Sequence, residues 1–308
     1  GGFGDDILFG GTGSDHLFGE AGADKILGEA GFDTIQGGAG NDILFGDGWA
    51  KVGPGWTNPT VGLQPTSGGE ADNIEGGEGD DRIYAGGGND TVKGQAGADT
   101  IYGGSGADTI YGDDEIAAGT DGADVIYGEG ESDWIRAGGG ADIVRAGVGA
   151  DTVYGDAGSD ILFGEAGPDS VYGGAGSDTI NAGDGMNLVY GDDKPGENTG
   201  AEAGDIITTG VDRDVIHGQG GNDIITAGDG NNDIYGDAGD DDITASDGNN
   251  LIYGDIGNDD ITVGDGNNTI YGDAGTDTIT VGDGNHLIHG GSEADHIVVG
   301  TGDSTIYG

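Results

Sequence analysis

Aliphatic side chains recur along the chain every nine residues, from Leu8 and Leu17 at one end to Ile297 and Ile306 at the other. Each is the middle of a three-residue segment that is long enough only for a short β-strand, so it points inward and its two neighbours outward. The glycine-rich residues between these segments are typical of tight turns. Strand and turn therefore alternate through thirty repeats, and two repeats make one coil of a solenoid.

The repeat follows the pattern G-G-x-G-x-D-x-U-x, in which U is Ile, Val or Leu, and residues 1–9 and 10–18 are its first two copies. This pattern resembles the calcium-binding nonapeptide repeat of the RTX family. The resemblance implies an all-β fold, a right-handed parallel β-roll or β-helix solenoid of about 15 two-repeat coils. Turns of odd-numbered repeats would stack along one edge, the first edge, and turns of even-numbered repeats along the second edge.

The repeat continues from residue 1 to residue 308, which predicts one continuous roll that is part of a longer protein or of an assembly. Three turns are expanded, at about residues 47–69, 113–121 and 192–204, and each expansion keeps the alternation of edges. The first contains Trp49 and Trp56. These tryptophans could contact a sugar or another subunit, or fold back over the roll.

Acidic residues dominate the composition. The chain has 59 Asp and Glu against 8 Lys and Arg, a formal net charge of −51, 76 glycines and no cysteine. This charge opposes compaction, and one aliphatic side chain per repeat is a thin core for a glycine-rich backbone. We therefore expect multivalent cations to stabilise the fold and the metal-free chain to be largely unfolded. The charge excludes nucleic acid as a partner, and no apolar run predicts membrane insertion.

Position 6 of the repeat supplies the candidate calcium ligands. An Asp carboxylate and turn carbonyls, met by the same groups of the next turn, can supply the oxygens that Ca²⁺ prefers, and the RTX resemblance assigns this position as a ligand. The first-edge candidates are Asp6, Asp24, Asp42, Asp81, Asp99, Asp124, Asp142, Asp160, Asp178, Asp205, Asp223, Asp241, Asp259, Asp277 and Asp295. The second-edge candidates are Asp15, Asp33, Asp72, Asp90, Asp108, Asp133, Asp151, Asp169 and Asp214.

About 21 calcium ions between successive turns would offset most of the negative charge, so we expect about 20 or more. The alternative is that these residues only form turns, but turn chemistry does not need an aspartate in nearly every repeat.

The second edge changes toward its C-terminal end. There, position 6 becomes Asn187, Asn232, Asn250, Asn268, His286 and Ser304, with Asp214 among them. An aspartate appears at position 3 in five of these turns: Asp184, Asp229, Asp247, Asp265 and Asp283. Either these aspartates bind calcium at weaker sites, which we expect, or hydrogen bonds of the Asn side chains hold this edge.

Position 9 carries all 11 tyrosines, and from Tyr154 onward they fall only on alternate strands, with His217 and His289 in two of the places. This predicts an aromatic column on one sheet and a threonine column on the other. Such columns either stabilise the sheets or form a lateral contact surface.

The sequence contains no catalytic motif, so we expect no enzyme activity. The composition and the resemblance favour a calcium-dependent extracellular structural protein, a rigid rod in a secreted adhesin, surface layer or filament. The resemblance also implies bacterial type I export and a secreted or cell-surface location. The expected partners are calcium, other copies of the chain in head-to-tail or lateral assembly, or cell-surface polysaccharide. The alternative is a carbohydrate-binding or folding-assistance module of a secreted enzyme or toxin.

Overall fold

The computed structural model describes residues 1–47, 69–113, 121–194 and 203–308, which fall into two compact units, Gly1–Val148 and Gly149–Gly308. The described residues form strands and turns, without a helix. The first unit contains β1 (Gly2–Phe3), β2 (Ile7–Thr12), β3 (His16–Ala21), β4 (Lys25–Ala30), β5 (Thr34–Ala39), β6 (Ile43–Asp47), β7 (Asn73–Glu78), β8 (Arg82–Gly87), β9 (Thr91–Ala96), β10 (Thr100–Ser105), β11 (Thr109–Tyr111), β12 (Val125–Gly130), β13 (Trp134–Gly139) and β14 (Ile143–Val148). The second unit contains β15 (Thr152–Ala157), β16 (Ile161–Ala166), β17 (Ser170–Ala175), β18 (Thr179–Gly183), β19 (Leu188–Tyr190), β20 (Ile206–Thr209), β21 (Val215–His217), β22 (Ile224–Ala227), β23 (Asp233–Tyr235), β24 (Asp242–Ala245), β25 (Leu251–Tyr253), β26 (Asp260–Val263), β27 (Thr269–Ala274), β28 (Thr278–Val281), β29 (Leu287–Ser292), β30 (His296–Val299) and β31 (Thr305–Tyr307).

Within each unit, consecutive strands belong to opposite sheets, and every strand pairs in parallel with the strand two places along the chain. Leu8 in β2 lies beside Ile26 in β4, and Ile234 in β23 beside Ile252 in β25, so one coil takes 18 residues. Even-numbered strands follow first-edge turns and odd-numbered strands follow second-edge turns. The predicted all-β parallel solenoid of about 15 turns is confirmed. A single continuous roll over 1–308 stays a prediction.

The expanded turns leave the register of the flanking strands intact. Thr34 pairs with Asn73 across the first expansion, and Thr100 pairs with Val125 across the second. Across the third, β18 and β20 pair in register from Thr179 with Ile206 to Asn181 with Thr208, and an irregularity follows between Asn181 and Gly183. The strands on either side of each insertion therefore pair as the alternation of edges predicts. Residues 48–68, 114–120 and 195–202, and with them Trp49 and Trp56, lie outside the described residues.

The core consists of one inward aliphatic side chain from each strand. These side chains, from Ile26 to Ile288, are no more than 1% exposed. Position 1 adds a glycine or a small side chain such as the buried Ala85. The core is therefore as thin as the sequence predicts, since two aliphatic side chains and little else fill each coil.

Replacing Ile234 by alanine is expected to lower the free energy of unfolding of the calcium-loaded protein by about 2–5 kcal/mol, because it leaves a cavity in a core without spare side chains. Urea denaturation in saturating calcium measures this loss. Thr226→Ala, on an exposed strand position, is the matched control and should change stability by less than about 0.5 kcal/mol. Equal effects of the two substitutions would contradict the assignment of the core.

Position 9 builds a column of stacked rings on the outer face of one sheet of the second unit. Ring centroids of successive members lie 4.4–5.4 Å apart and their planes are within 3–13° of parallel. The members are Tyr154, Tyr172, Tyr190, His217, Tyr235, Tyr253, Tyr271, His289 and Tyr307. On the other sheet, the paired threonines are Thr208, Thr226, Thr244, Thr262 and Thr280. Both predicted columns are thus present, and the rings turn their faces to one another and their edges outward.

Candidate calcium-binding site

The position-6 aspartates form hydrogen-bonded ladders within each unit. The backbone N–H of each one donates to Oδ1 of its counterpart in the next coil. These N–O distances are 2.7–2.9 Å in the first unit and 2.7–3.1 Å along the first edge of the second unit. Asp81, for example, accepts from Asp42 and donates to Asp99, both at 2.7 Å. One carboxylate oxygen in each turn is therefore fixed by the backbone.

The other carboxylate oxygen is buried without a hydrogen-bond donor. This holds for Oδ2 of Asp15, Asp24, Asp33, Asp42, Asp72, Asp81, Asp90, Asp99, Asp108, Asp124, Asp169, Asp178, Asp205, Asp223, Asp241, Asp259 and Asp277. From Asp24 to Asp277, these side chains are no more than 3% exposed. A buried anionic oxygen is costly unless a cation or a donor satisfies it. Each of these turns therefore needs a cation or a proton to neutralise its buried oxygen.

Glycine at position 1 allows oxygens of two coils to approach the same point. A Cβ built on Gly19 would lie 2.4 Å from Asp24 Oδ2 and 2.4 Å from the carbonyl oxygen of Gly37 in the next coil. Gly19 does not have a positive φ, so this close approach, and not a turn conformation, requires the glycine. Gly236 makes the same approach in the second unit.

These donors fit a hard divalent cation. Each turn offers a carboxylate oxygen without a hydrogen-bond partner, and a backbone carbonyl of the neighbouring coil lies next to it. Ca²⁺ binds six to eight oxygens of these kinds. Among the described residues, no three His, Cys, Asp or Glu side chains gather around one point. A cation in these ladders would therefore take most of its ligands from backbone carbonyls.

Burial raises the pKa of several ladder carboxyls far above the ordinary value of 3.8. The pKa is about 6 for Asp42, about 8 for Asp81 and about 9 for Asp124. Desolvation is the largest cause and neighbouring carboxylates add to it, whereas the hydrogen bond from the backbone N–H acts in the opposite direction. Without a cation, folding at neutral pH therefore requires either buried charge or bound protons.

We expect the metal-free protein to gain β-structure as the pH falls. Because the pKa values of these carboxyls are higher in the fold than in the unfolded chain, their contribution to stability is complete below pH 3.8 and is lost as the pH rises through about 6 to 9. Circular dichroism of calcium-stripped protein between pH 4 and pH 8 measures the change.

Salt at pH 8 is the control for this titration, because it screens surface repulsion without protonating buried carboxyls. Salt that restored as much β-structure as acid, or acid that restored none, would contradict the role of the ladder carboxyls.

A parallel solenoid whose stacked turns bury a carboxylate oxygen without a hydrogen-bond donor is typical of β-rolls that a metal ion stabilises. The chain belongs to the RTX calcium-binding nonapeptide repeat family, and the chain is a calcium-binding β-roll. The family model, which describes four copies of the repeat, matches residues 1–35, 21–48, 66–98, 85–116, 118–153, 154–189, 199–234, 226–261, 235–270, 253–285 and 289–308. No curated protein matches the chain. None of the described segments is a helix long and apolar enough to cross a membrane.

The position-3 aspartates lie on the exposed side of the second edge. Oδ1 of Asp247 accepts the backbone N–H of Asp265 at 2.8 Å, and Oδ1 of Asp265 accepts that of Asp283 at 2.7 Å. These three form a short ladder of their own, whereas Oδ1 of Asp184 accepts the backbone N–H of Val211 at 3.2 Å. Their role as weaker calcium ligands stays a prediction.

Position 1 is the feature of the site that sequence reasoning missed. In the second unit, every first-edge turn combines Gly at position 1 with Asp at position 6. On the second edge, from the turn of Asn187 onward, position 1 is Ala, Thr or Val. The change at position 1 is visible in the sequence, although it is not strictly tied to position 6, since Thr209 precedes Asp214. Its meaning depends on knowing that residues 1 and 6 of the repeat meet.

Proposed function

We propose that the chain is a calcium-folded structural module, a rigid rod in a secreted adhesin, surface layer or filament. The observation that carries the proposal is the ladder of buried carboxylate oxygens without donors in each unit. Ions that bind only the folded chain supply the stability that the thin core lacks. Extracellular calcium modules work with dissociation constants of about 10⁻⁴–10⁻³ M, so the chain would stay unfolded at cytoplasmic calcium levels and fold after type I export.

The proposed ligands are the position-6 aspartates of both edges, from Asp6 to Asp295 on the first edge and from Asp15 to Asp214 on the second. The supporting geometry is the same in each unit: one oxygen held by the backbone, the other buried beside a carbonyl of the next coil. One ion in each gap between aspartate turns would give about 20 in total.

Assembly with further copies of the chain is part of the proposal. The outer face with the stacked rings presents ring edges, with Tyr307 54% exposed, and offers a lateral surface to a second copy. Ring faces already in contact with one another leave no platform on which a sugar could stack. The carbohydrate-binding alternative is based on Trp49 and Trp56, which lie outside the described residues.

Small-angle scattering with light scattering during a calcium titration tests this function. A spacer should change from an expanded coil to a compact elongated particle at constant mass, whereas a filament or surface-layer subunit should gain mass. Magnesium at equal concentration is the control, because it dehydrates reluctantly and demands strict octahedral geometry. A chain that stays expanded in millimolar calcium would overturn the proposal.

A further inference from the structure

We propose that, on the second edge of the second unit, a side-chain N–H at position 6 takes the place that calcium has beside the ladder aspartates, so that position 6 of these turns needs no metal, whether or not the exposed position-3 aspartates bind calcium. The turns concerned are those of Asn187, Asn232, Asn250, Asn268 and His286. The inference rests on the proposed role of the ladder aspartates as calcium ligands, because the asparagines are compared with them.

The asparagines hold the same position in the ladder as the aspartates. The backbone N–H of Asn232 donates to Oδ1 of Asn250 at 3.0 Å, and that of Asn250 donates to Oδ1 of Asn268 at 2.8 Å. The corresponding bond on the first edge, from Asp223 to Asp241, is 2.8 Å. With Oδ1 in the same role, the amide Nδ2 stands where an aspartate has its buried Oδ2.

That amide nitrogen has an acceptor within its own turn. Nδ2 donates to the carbonyl oxygen of the position-2 residue, four residues earlier. The distance is 3.0 Å from Asn187 to Gly183, 3.1 Å from Asn232 to Gly228, 3.3 Å from Asn250 to Ser246 and 3.4 Å from Asn268 to Gly264. In an aspartate turn, the atom at this place is an acceptor that needs a cation; here, a donor satisfies the carbonyl directly.

His286 repeats the arrangement with different chemistry. Its Nδ1 accepts the backbone N–H of Asn268 at 3.3 Å, and its Nε2 lies 3.2 Å from the carbonyl oxygen of Gly282, again four residues earlier. The neutral tautomer with its proton on Nε2 satisfies both contacts. Two unrelated side chains thus place an N–H on the same carbonyl, which indicates that this donor is what the turn requires.

Position 1 of these turns carries a side chain instead of glycine, as it also does in the aspartate turn of Ala85 and Asp90. Ala227, Ala245 and Val263 are no more than 3% exposed and occupy the inner position that is glycine on the first edge of this unit. These turns therefore gain apolar packing in addition to the hydrogen bond of the ladder side chain.

Two alanine variants in the same unit distinguish two hypotheses. Either the Asn250 amide replaces calcium, or it binds calcium. Equilibrium dialysis with radioactive calcium counts bound ions, and urea unfolding at fixed calcium measures stability. Asn250→Ala should leave the number of bound ions unchanged and raise the unfolding equilibrium constant about 10- to 100-fold, because a buried carbonyl and a backbone N–H lose their partners. Asp241→Ala, on the first edge, should release one or two ions.

The result at each residue tests a different proposal. Loss of bound calcium in Asn250→Ala would show that the asparagine is a ligand, and unchanged stability would show that its amide does nothing; either overturns the inference. Retention of all ions in Asp241→Ala would instead defeat the proposed aspartate ligands, whatever the result at Asn250.

A carboxylate variant covers the case in which Asn250→Ala fails to fold. Asn250→Asp sets an oxygen against the Ser246 carbonyl, so the dependence of stability on calcium concentration should steepen by about one ion. Asn249→Asp adds the same charge one residue away, where the side chain is exposed, and should not change this slope. Equal slopes in the two variants would overturn the inference.

Discussion

Removing calcium at pH 7.5 is expected to abolish the β-sheet signal in circular dichroism and to expose the whole chain to proteases. Each buried oxygen without a partner costs about 1–3 kcal/mol, and folded domains are stable by only about 5–15 kcal/mol. The ladders hold many more such oxygens than that margin can absorb. Far-UV circular dichroism in EGTA, followed by return of calcium, measures the loss and its reversal.

Magnesium returned in place of calcium serves as the comparison and should restore much less structure. A full β-sheet signal and protease resistance in EGTA at this pH would refute the dependence on metal.

Replacing Asp81 by alanine should lower the free energy of unfolding in saturating calcium by about 3–5 kcal/mol, the range for a buried charge deprived of its partner. Asp81 accepts from Asp42 and donates to Asp99, so it borders two gaps of the ladder. Under the proposed ligand assignment, its loss removes a ligand from both gaps, and it leaves the N–H of Asp42 without an acceptor. Calorimetric calcium titration should show one or two ions fewer, and urea denaturation gives the change in stability.

The adjacent Asp80 provides a matched control. Asp80→Ala removes the same charge, but its side chain is exposed and accepts only the N–H of Ala98, at 3.0 Å. We expect a loss of about 1 kcal/mol or less and an unchanged number of bound ions. If the two variants behave alike, position 6 has no special role and the ladder is ordinary turn chemistry.

The fold could be predicted from sequence because each level of the pattern points to the same structure. An aliphatic residue every nine positions fixes both the inward face and the coil length, and the register of Leu8 with Ile26 follows directly. The burial of Asp24 and the position of its carboxylate could be anticipated only as a ligand assignment by resemblance. That Oδ1 is held by the backbone and Oδ2 has no donor required atomic positions.

The second edge shows what a repeat pattern cannot supply. The change to Asn250 at position 6 is evident, but sequence alone left calcium binding and side-chain hydrogen bonding as open alternatives. Two structural observations favour side-chain hydrogen bonding. Asn250 Nδ2 lies 3.3 Å from the Ser246 carbonyl oxygen, and the side chain of Ala245 is buried in the same turn. Neither follows from the sequence, because both depend on the conformation of the turn. The same residues in another turn conformation would have allowed either calcium binding or side-chain hydrogen bonding.

The stacking of every second repeat also restricts how such a chain can change in length. Duplication or loss of 18 residues, such as 236–253, would return each aspartate to the first edge and each ring to its own column. Loss of a single nonapeptide would exchange the edges for all later coils and set Asn250 beneath the aspartate turns. Within the part of the chain where the two edges differ, from Asn187 onward, unequal recombination within the gene would therefore keep like turns stacked only when it adds or removes an even number of repeats.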